Sequence, residues 1–312
     1  MKKLSKTGFD RGRDFLRSNA RPLEKACFEL EFSKGSVDVY LSELAKFQNA
    51  DGGFGQALEP DVRTPSSSAL CTEMGLRYLA ERGISADHPM VQAAVSYLLD
   101  RFDTNLRLWR VIPEDANDYP HAPWWHDEDG SLSRTFDNFR VIPRAGILAG
   151  LYHFAELVPA KWLAAITERT VDDIESLETE QFGGGGDMLV YALRLAEASG
   201  LASSLQSRLS SRLRIAADAV VARDPQSWSG YAAPPLKLAP TPASLVADLM
   251  KTDIQNQLDY LIKQQTPEGT WEPTWSWGDL YPDDWKQARQ EWRGILTLDT
   301  LIALRAFERI EG

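Results

Sequence analysis

Cysteine is nearly absent: Cys27 and Cys71 are the only two in 312 residues. They stand in neither a metal-binding nor a redox spacing, which excludes a disulfide scaffold and points to a reducing compartment. Histidine is almost as scarce, with four in the chain. No hydrophobic run approaches the length of a membrane span, and the positively charged N-terminal stretch has no apolar region behind it, so it does not read as a secretory signal. A cytoplasmic location is the resulting expectation. Positive charge is in deficit as well, with 34 Lys and Arg against 45 Asp and Glu and a net charge of −11. A nucleic-acid partner needs a basic surface that neutralises phosphate, so nucleic-acid binding is excluded.

Tryptophan is plentiful instead. Of ten in the chain, eight lie in two areas: Trp109, Trp124 and Trp125, then Trp271, Trp275, Trp277, Trp285 and Trp292. Trp is large, amphipathic and seldom fully buried, so such clusters mark either packed repeat junctions or the wall of a ligand site. Helical periodicity dominates the rest. Residues 37–48 place Val37, Tyr40, Leu41, Leu44 and Phe47 on one stripe, and residues 66–81 open on serines that offer cap chemistry. Further helices are expected at about 89–101, 143–157, 160–178, 187–199, 203–222, 242–264 and 287–309. No segment alternates as a half-buried strand does, so the fold class is all-α. Four connections are long and rich in Pro, Gly and Trp: 49–65, 103–142, 223–241 and 266–286. Long ordered loops of this kind usually carry function.

An internal repeat underlies two of these loops. "LAKFQNADGGF" (44–54) aligns without gaps on "LIKQQTPEGTW" (261–271), and both follow an amphipathic helix with a Tyr-Leu pair, Tyr40-Leu41 and Tyr260-Leu261. Residues 94–109 keep a weaker trace ending in Trp109. The glutamine can satisfy carbonyls at a helix end, glycine permits the reversal, and the aromatic ring covers the turn. Gln48…Gly52-Gly53-Phe54 and Gln265…Gly269-Thr270-Trp271 resemble the QW motif of the squalene–hopene cyclase and protein prenyltransferase group. "DGGFGQALEPDVRTPSSSA" and "HAPWW" are similar to stretches in bacterial stand-alone squalene-cyclase-like proteins. The resemblance implies a single α/α toroid over residues 1–312, with about five to six helical hairpins and an N-terminal helical segment, 1–35, packed on it.

The group's chemical signatures are missing. No Asp-X-Asp-Asp occurs: "VDD" (171–173) and "YPDDW" (281–285) each lack part of it. "DDWKQ" (283–287) ends in Gln where a magnesium-binding Asp-Asp-X-X-Asp has its last acid, and no Asp, Cys and His set has zinc spacing. His121 and His126 are five apart, a spacing that suits neither a helix face nor a strand face, so no metal site and no cofactor are expected.

Other residues are candidates for chemistry. Glu59 and Asp61 of "EPD" lie on the loop entering a helix. They serve either as loop caps paired with Arg63 or, inside an aromatic cavity, as general acids. Asp283 and Asp284 are the alternative acids, set among tryptophans. Ligand-binding candidates are His121, Trp124 and Trp125 as a stacking platform, Arg140 as an anion contact, Asp187 behind the glycine run 183–186, and Trp275, Trp277, Trp285 and Trp292. Three functions are carried forward. The first is acid-initiated cyclisation of an isoprenoid in an aromatic cavity. The second is hydrolysis or cleavage of a carbohydrate by paired carboxylates on a Trp-lined groove. The third is ligand binding without catalysis. In each the partner is a small molecule, hydrophobic or a sugar.

Overall fold

The computed structural model describes residues 1–311. Those residues contain thirteen α-helices and no strand. In chain order they are α1 (Lys6–Asn19), α2 (Pro22–Phe32), α3 (Val37–Leu44), α4 (Ala69–Glu81), α5 (Pro89–Asp100), α6 (Ser131–Thr135) and α7 (Arg144–His153). They continue as α8 (Ala160–Ser176), α9 (Asp187–Ala196), α10 (Ser203–Val220), α11 (Pro235–Leu238), α12 (Lys251–Gln264) and α13 (Pro282–Ala306). None of the described helices is long and apolar enough to cross a membrane.

Local chemistry sets several boundaries. The Ser5 hydroxyl accepts from Gly8 N at 3.1 Å and starts α1, and Ser68 accepts from Cys71 N at 2.9 Å and starts α4. α4 therefore begins later than its serine run implies: Ser66 and Ser67 bond Asp115 and Asp51 at 2.6 and 2.7 Å and belong to the loop. At α5 the His88 ring accepts from Met90 N and Pro89 occupies the first turn, where its missing N–H costs nothing. The helix expected at 287–309 starts instead at Pro282, by the same proline rule, and so takes in Asp283 and Asp284.

The chain divides into two compact units. The first consists of Met1–Leu44, Gly183–Gly186 and Val220–Gly312. Within it α1 packs on α2 and α13, and α2 on α3. Phe28 and Phe32 stack at 5.0 Å, with Phe9 set at 5.5 Å from Phe32. The two ends of this unit are tied by a parallel bridge in which Leu4 N donates to Arg309 O at 2.7 Å and Glu311 N to Leu4 O at 2.9 Å. The buried Arg309 side chain fixes that clasp by pairing with Asp259.

The second unit consists of Ala45–Phe182 and Asp187–Ala219. Here α4, α7 and α9 follow one another side by side, α5 packs on α4, and α8 on α7. α7 is buried on most of its circumference, as expected of a helix with neighbours on several sides. Its Arg144 pairs with Asp173 of α8 at 2.5 Å, both side chains lying out of solvent.

The two sequence copies form equivalent junctions. Gln48 leaves the helix expected to contain it, because α3 ends at Leu44 and a single 3-10 turn follows. Its Nε2 then donates to Gly52 O and to Met90 O of α5, each at 2.9 Å. Gln265 does the same towards Gly269 O at 3.1 Å and Gly8 O of α1 at 2.9 Å. Both glycines have positive φ, 88° and 92°. A Cβ on Gly52 would lie 2.5 Å from Ala93 O, and one on Gly269 would lie 2.5 Å from the Arg11 backbone. The aromatic residue that follows is anchored in turn: Phe54 N donates to Thr72 Oγ1 of α4 at 2.9 Å, and Trp271 N to Thr297 Oγ1 of α13 at 3.3 Å. Each junction thus binds a turn to two helices.

Three tryptophans act as helix stops. The indole N–H of Trp109 donates to Leu98 O, that of Trp271 to Leu261 O and that of Trp228 to Ala222 O, at 2.6, 2.8 and 2.6 Å. Each carbonyl lies in or just beyond the last turns of a helix, where backbone acceptors are otherwise orphaned. Replacing either glutamine with alanine should cost about 1–2 kcal/mol in urea unfolding, by the usual worth of a buried hydrogen bond and its orphaned acceptor. Gly52→Ala and Gly269→Ala should each cost more, about 2 kcal/mol or above, because they add a backbone clash to a left-handed φ.

Candidate functional site

Two stretches with site candidates meet in the second unit. Gln56 and Ala57 adopt positive φ, and the chain then tightens through Leu58 N to Gly55 O and Val62 N to Glu59 O, at 2.9 and 3.2 Å. This places Glu59 and Asp61 in the interior, 8% and 2% exposed. Val62 and His121 form an antiparallel bridge. Around it Ala122 N donates to Asp61 O at 2.9 Å and Arg63 N to Pro120 O at 3.1 Å. The Glu59–Asp61 loop and the loop carrying the tryptophan pair are therefore held together by backbone, and neither is a free surface excursion.

His121 is buried and its Nδ1 lies 2.6 Å from Tyr119 O. A carbonyl only accepts, so Nδ1 carries the proton and Nε2 of the neutral ring is an acceptor. His126 Nδ1, 3.0 Å from that Nε2, must then be the donor, and the two rings stack at 5.3 Å with 9° between planes. Trp125 is buried and stacks on Phe136 at 5.1 Å, whereas Trp124 is 37% exposed. Among the described residues no three His, Cys, Asp or Glu side chains converge to hold a metal ion. Long-range ¹H–¹⁵N spectra should show His121 as the Nδ1–H tautomer near neutral pH; an Nε2–H tautomer would contradict this geometry.

The remaining candidates are dispersed. Arg140 pairs with Asp137 at 2.5 Å, a hydrogen bond that holds the guanidinium above its ordinary value. Arg134 donates to Asp129 O and Arg144 pairs with Asp173. Arg140, a candidate anion contact, and its neighbours thus form separate internal links. Asp187 occupies the first turn of α9, where a carboxylate complements the helix dipole.

In the first unit, Trp285 and Trp292 share the face of α13 that buries Ala288. Each meets a tryptophan of the preceding loop: Trp275 lies edge-on to Trp292 at 5.0 Å, and Trp277 is tilted against Trp285 at 5.7 Å. Trp277 is buried and the other three are partly exposed. Glu272 is engaged by Arg289 and Arg293 at 2.9 and 2.8 Å. Asp283 faces solvent, 97% exposed beside Lys286, and Asp284 is partly exposed. Asp283 therefore lacks the enclosure that an aromatic-cavity acid needs.

The sequence reading passed over one group. Glu73 of α4 is 2% exposed, with Arg194 of α9 at 3.2 Å and Arg77 Nε at 3.8 Å from the same carboxylate oxygen. Tyr191 lies alongside, and its hydroxyl is pushed well above the ordinary value by burial and then by Glu73. A glutamate and an arginine four apart inside the mainly apolar run "ALCTEMGLRYLAE" were the available signal. Tyr97 of α5, also buried, is pushed up to about 12 by burial and then by Asp51. Both tyrosines keep their protons in the fold when an unfolded chain loses them near pH 10. The stabilisation from Tyr97 is thus complete below about pH 10 and is lost as pH rises towards 12, and that from Tyr191 is lost at higher pH. For Tyr97 the loss should be about 1.4 kcal/mol per pH unit over that interval. A phenolate absorbance titration should find these tyrosines ionising late, with unfolding free energy falling in step.

No family model, curated protein or solved structure matches this chain.

Proposed function

We propose that this chain is an α/α toroid of the squalene–hopene cyclase and prenyltransferase type, with Glu59 and Asp61 as its acid–base centre. The observation that carries the reading is the burial of both carboxylates on a loop the repeat does not require. Residues 55–61 have no counterpart after the second junction, yet they are fastened by backbone to the loop with the histidine pair. The toroid is supported by two junctions with the same hydrogen bonds, each docking a helix-end turn on another helix.

The reaction that uses these groups is acid-initiated cyclisation of an isoprenoid. A protonated carboxyl of Glu59 or Asp61 gives its proton to a terminal alkene carbon or epoxide oxygen. The cation then moves along the chain as new carbon–carbon bonds form, and loss of a proton to a carboxylate or capture of water ends the sequence. Indole faces stabilise such cations, and Trp124, exposed on the loop that backbone bonds fasten to the acid loop, offers one. A second reading, carbohydrate cleavage, is favoured by the partly exposed Trp275, Trp285 and Trp292, because open indole faces stack on sugar rings.

Incubation with polyprenyl alcohols, their epoxides and aryl glycosides, followed by product analysis, separates the two. The expected result is a cyclised isoprenoid, reduced about 10²-fold or more by Glu59→Gln or Asp61→Asn, the range for loss of a general acid. Release of the aryl group alone would replace the first reading with the second. Turnover indifferent to both substitutions would remove Glu59 and Asp61 from either.

A further inference from the structure

The Glu73 group sets one buried carboxylate between two arginines. Oε1 of Glu73 receives Arg194 at 3.2 Å and faces Arg77 Nε at 3.8 Å. Oε2 of the same carboxylate is buried with no hydrogen-bond partner, and so is Arg77 Nε. A buried acceptor and a buried donor thus stand unsatisfied on the same pair of side chains, a costly arrangement unless something else completes it.

The side chains of Arg77 and Arg194 remain 26% and 31% accessible, and Tyr191 is half-buried, so the group is open to solvent on one side. Gly146 of α7 keeps the approach open: a Cβ there would meet both Glu73 Oε1 and the Tyr191 ring at 2.7 Å. A glycine inside a helix costs roughly 0.5–1 kcal/mol relative to alanine, and here it gives two polar side chains room to converge. The arginines are held in place, with Arg77 over the Tyr78 ring at 4.8 Å and Arg194 over the Tyr191 ring at 5.0 Å.

The charges of this group balance. Arg77 pairs with Glu81 at 3.0 Å and Arg194 with Glu73, so two cations meet two carboxylates and no positive excess is left for an anion. The complement of one open acceptor beside one open donor is a group that both donates and accepts, and a hydroxyl does both on a single oxygen atom. We propose that Glu73, Arg77, Tyr191 and Arg194 form a second binding site, which takes a neutral polyol such as a sugar or cyclitol through a hydroxyl on Glu73 Oε2 and Arg77 Nε. This site does not depend on what Glu59 and Asp61 do, and its test measures binding rather than turnover.

Saturation-transfer NMR and calorimetry with D-glucose and myo-inositol, against pyrophosphate and citrate as anionic probes, decide the matter. The expected result is saturable binding of a neutral polyol, weakened about tenfold or more by Glu73→Gln and by Arg77→Lys. Arg77→Lys keeps the charge towards Glu81 but has no Nε–H, so it tests the contact even if Glu73→Gln fails to fold. Preference for pyrophosphate or citrate, polyol binding unchanged in the folded variants, or no saturable polyol binding would each overturn the proposal.

Discussion

A single primary amide organises each repeat junction. Gln48 and Gln265 each turn one NH₂ group towards two carbonyls, one in their own turn and one on another helix. Two bonds from one planar group fix both distance and orientation, which one hydrogen bond does not. Everything else in the motif follows from that geometry. The turn must be tight enough to return a carbonyl to the amide, hence glycine at positive φ. The turn must also lie against the neighbouring helix, hence the lack of room for a Cβ. The next residue is then delivered to a third element, where a buried threonine hydroxyl, Thr72 or Thr297, accepts its N–H.

That constraint explains why the junctions were legible in the sequence while the helix boundaries beside them were not. Gln, Gly and the aromatic recur at fixed spacing because each meets a separate steric or hydrogen-bonding demand. The apolar stripe of residues 37–48 runs on past Leu44 through Phe47, so periodicity alone extends α3 too far. The amide works only once it has left the helix, and nothing in the stripe marks that departure. Tryptophans divide in the same way. Trp109 and Trp271 end repeat traces, where packing is expected, and the indole N–H of each donates to a helix-end carbonyl.

The candidate site was legible in its parts and not in its assembly. Glu59–Asp61 and His121–Trp125 each stood out as polar and aromatic groups in long loops. Their pairing rests on backbone bonds between residues about sixty positions apart, and no local pattern encodes a bridge of that length. Glu73 was missed for the opposite reason. It lies in a regular helix, where a lone acid among apolar residues passes for a solvent-facing position. Its partners Gly146, Tyr191 and Arg194 come from two other helices.

Two buried ion pairs in the second unit separate structure from function. Arg144 and Asp173 lie at 2.5 Å with almost no accessible surface on either side chain. Burial depresses the Arg144 guanidinium even against that carboxylate, so the charge is retained at a cost and offers no open face to a ligand. Its role is to tie α7 to α8. Both pairs leave one buried atom without a hydrogen-bond partner, Arg144 Nε and Glu73 Oε2, but only the arginines of the Glu73 pair keep accessible surface. A fold that needed only a tie between α4 and α9 gains nothing from leaving that oxygen unsatisfied, since an apolar contact there would be at least as stable. The glycine opposite it in α7 weakens a helix to preserve the same opening. Three helices thus carry a cost at one point, which a hydroxyl bound there would offset.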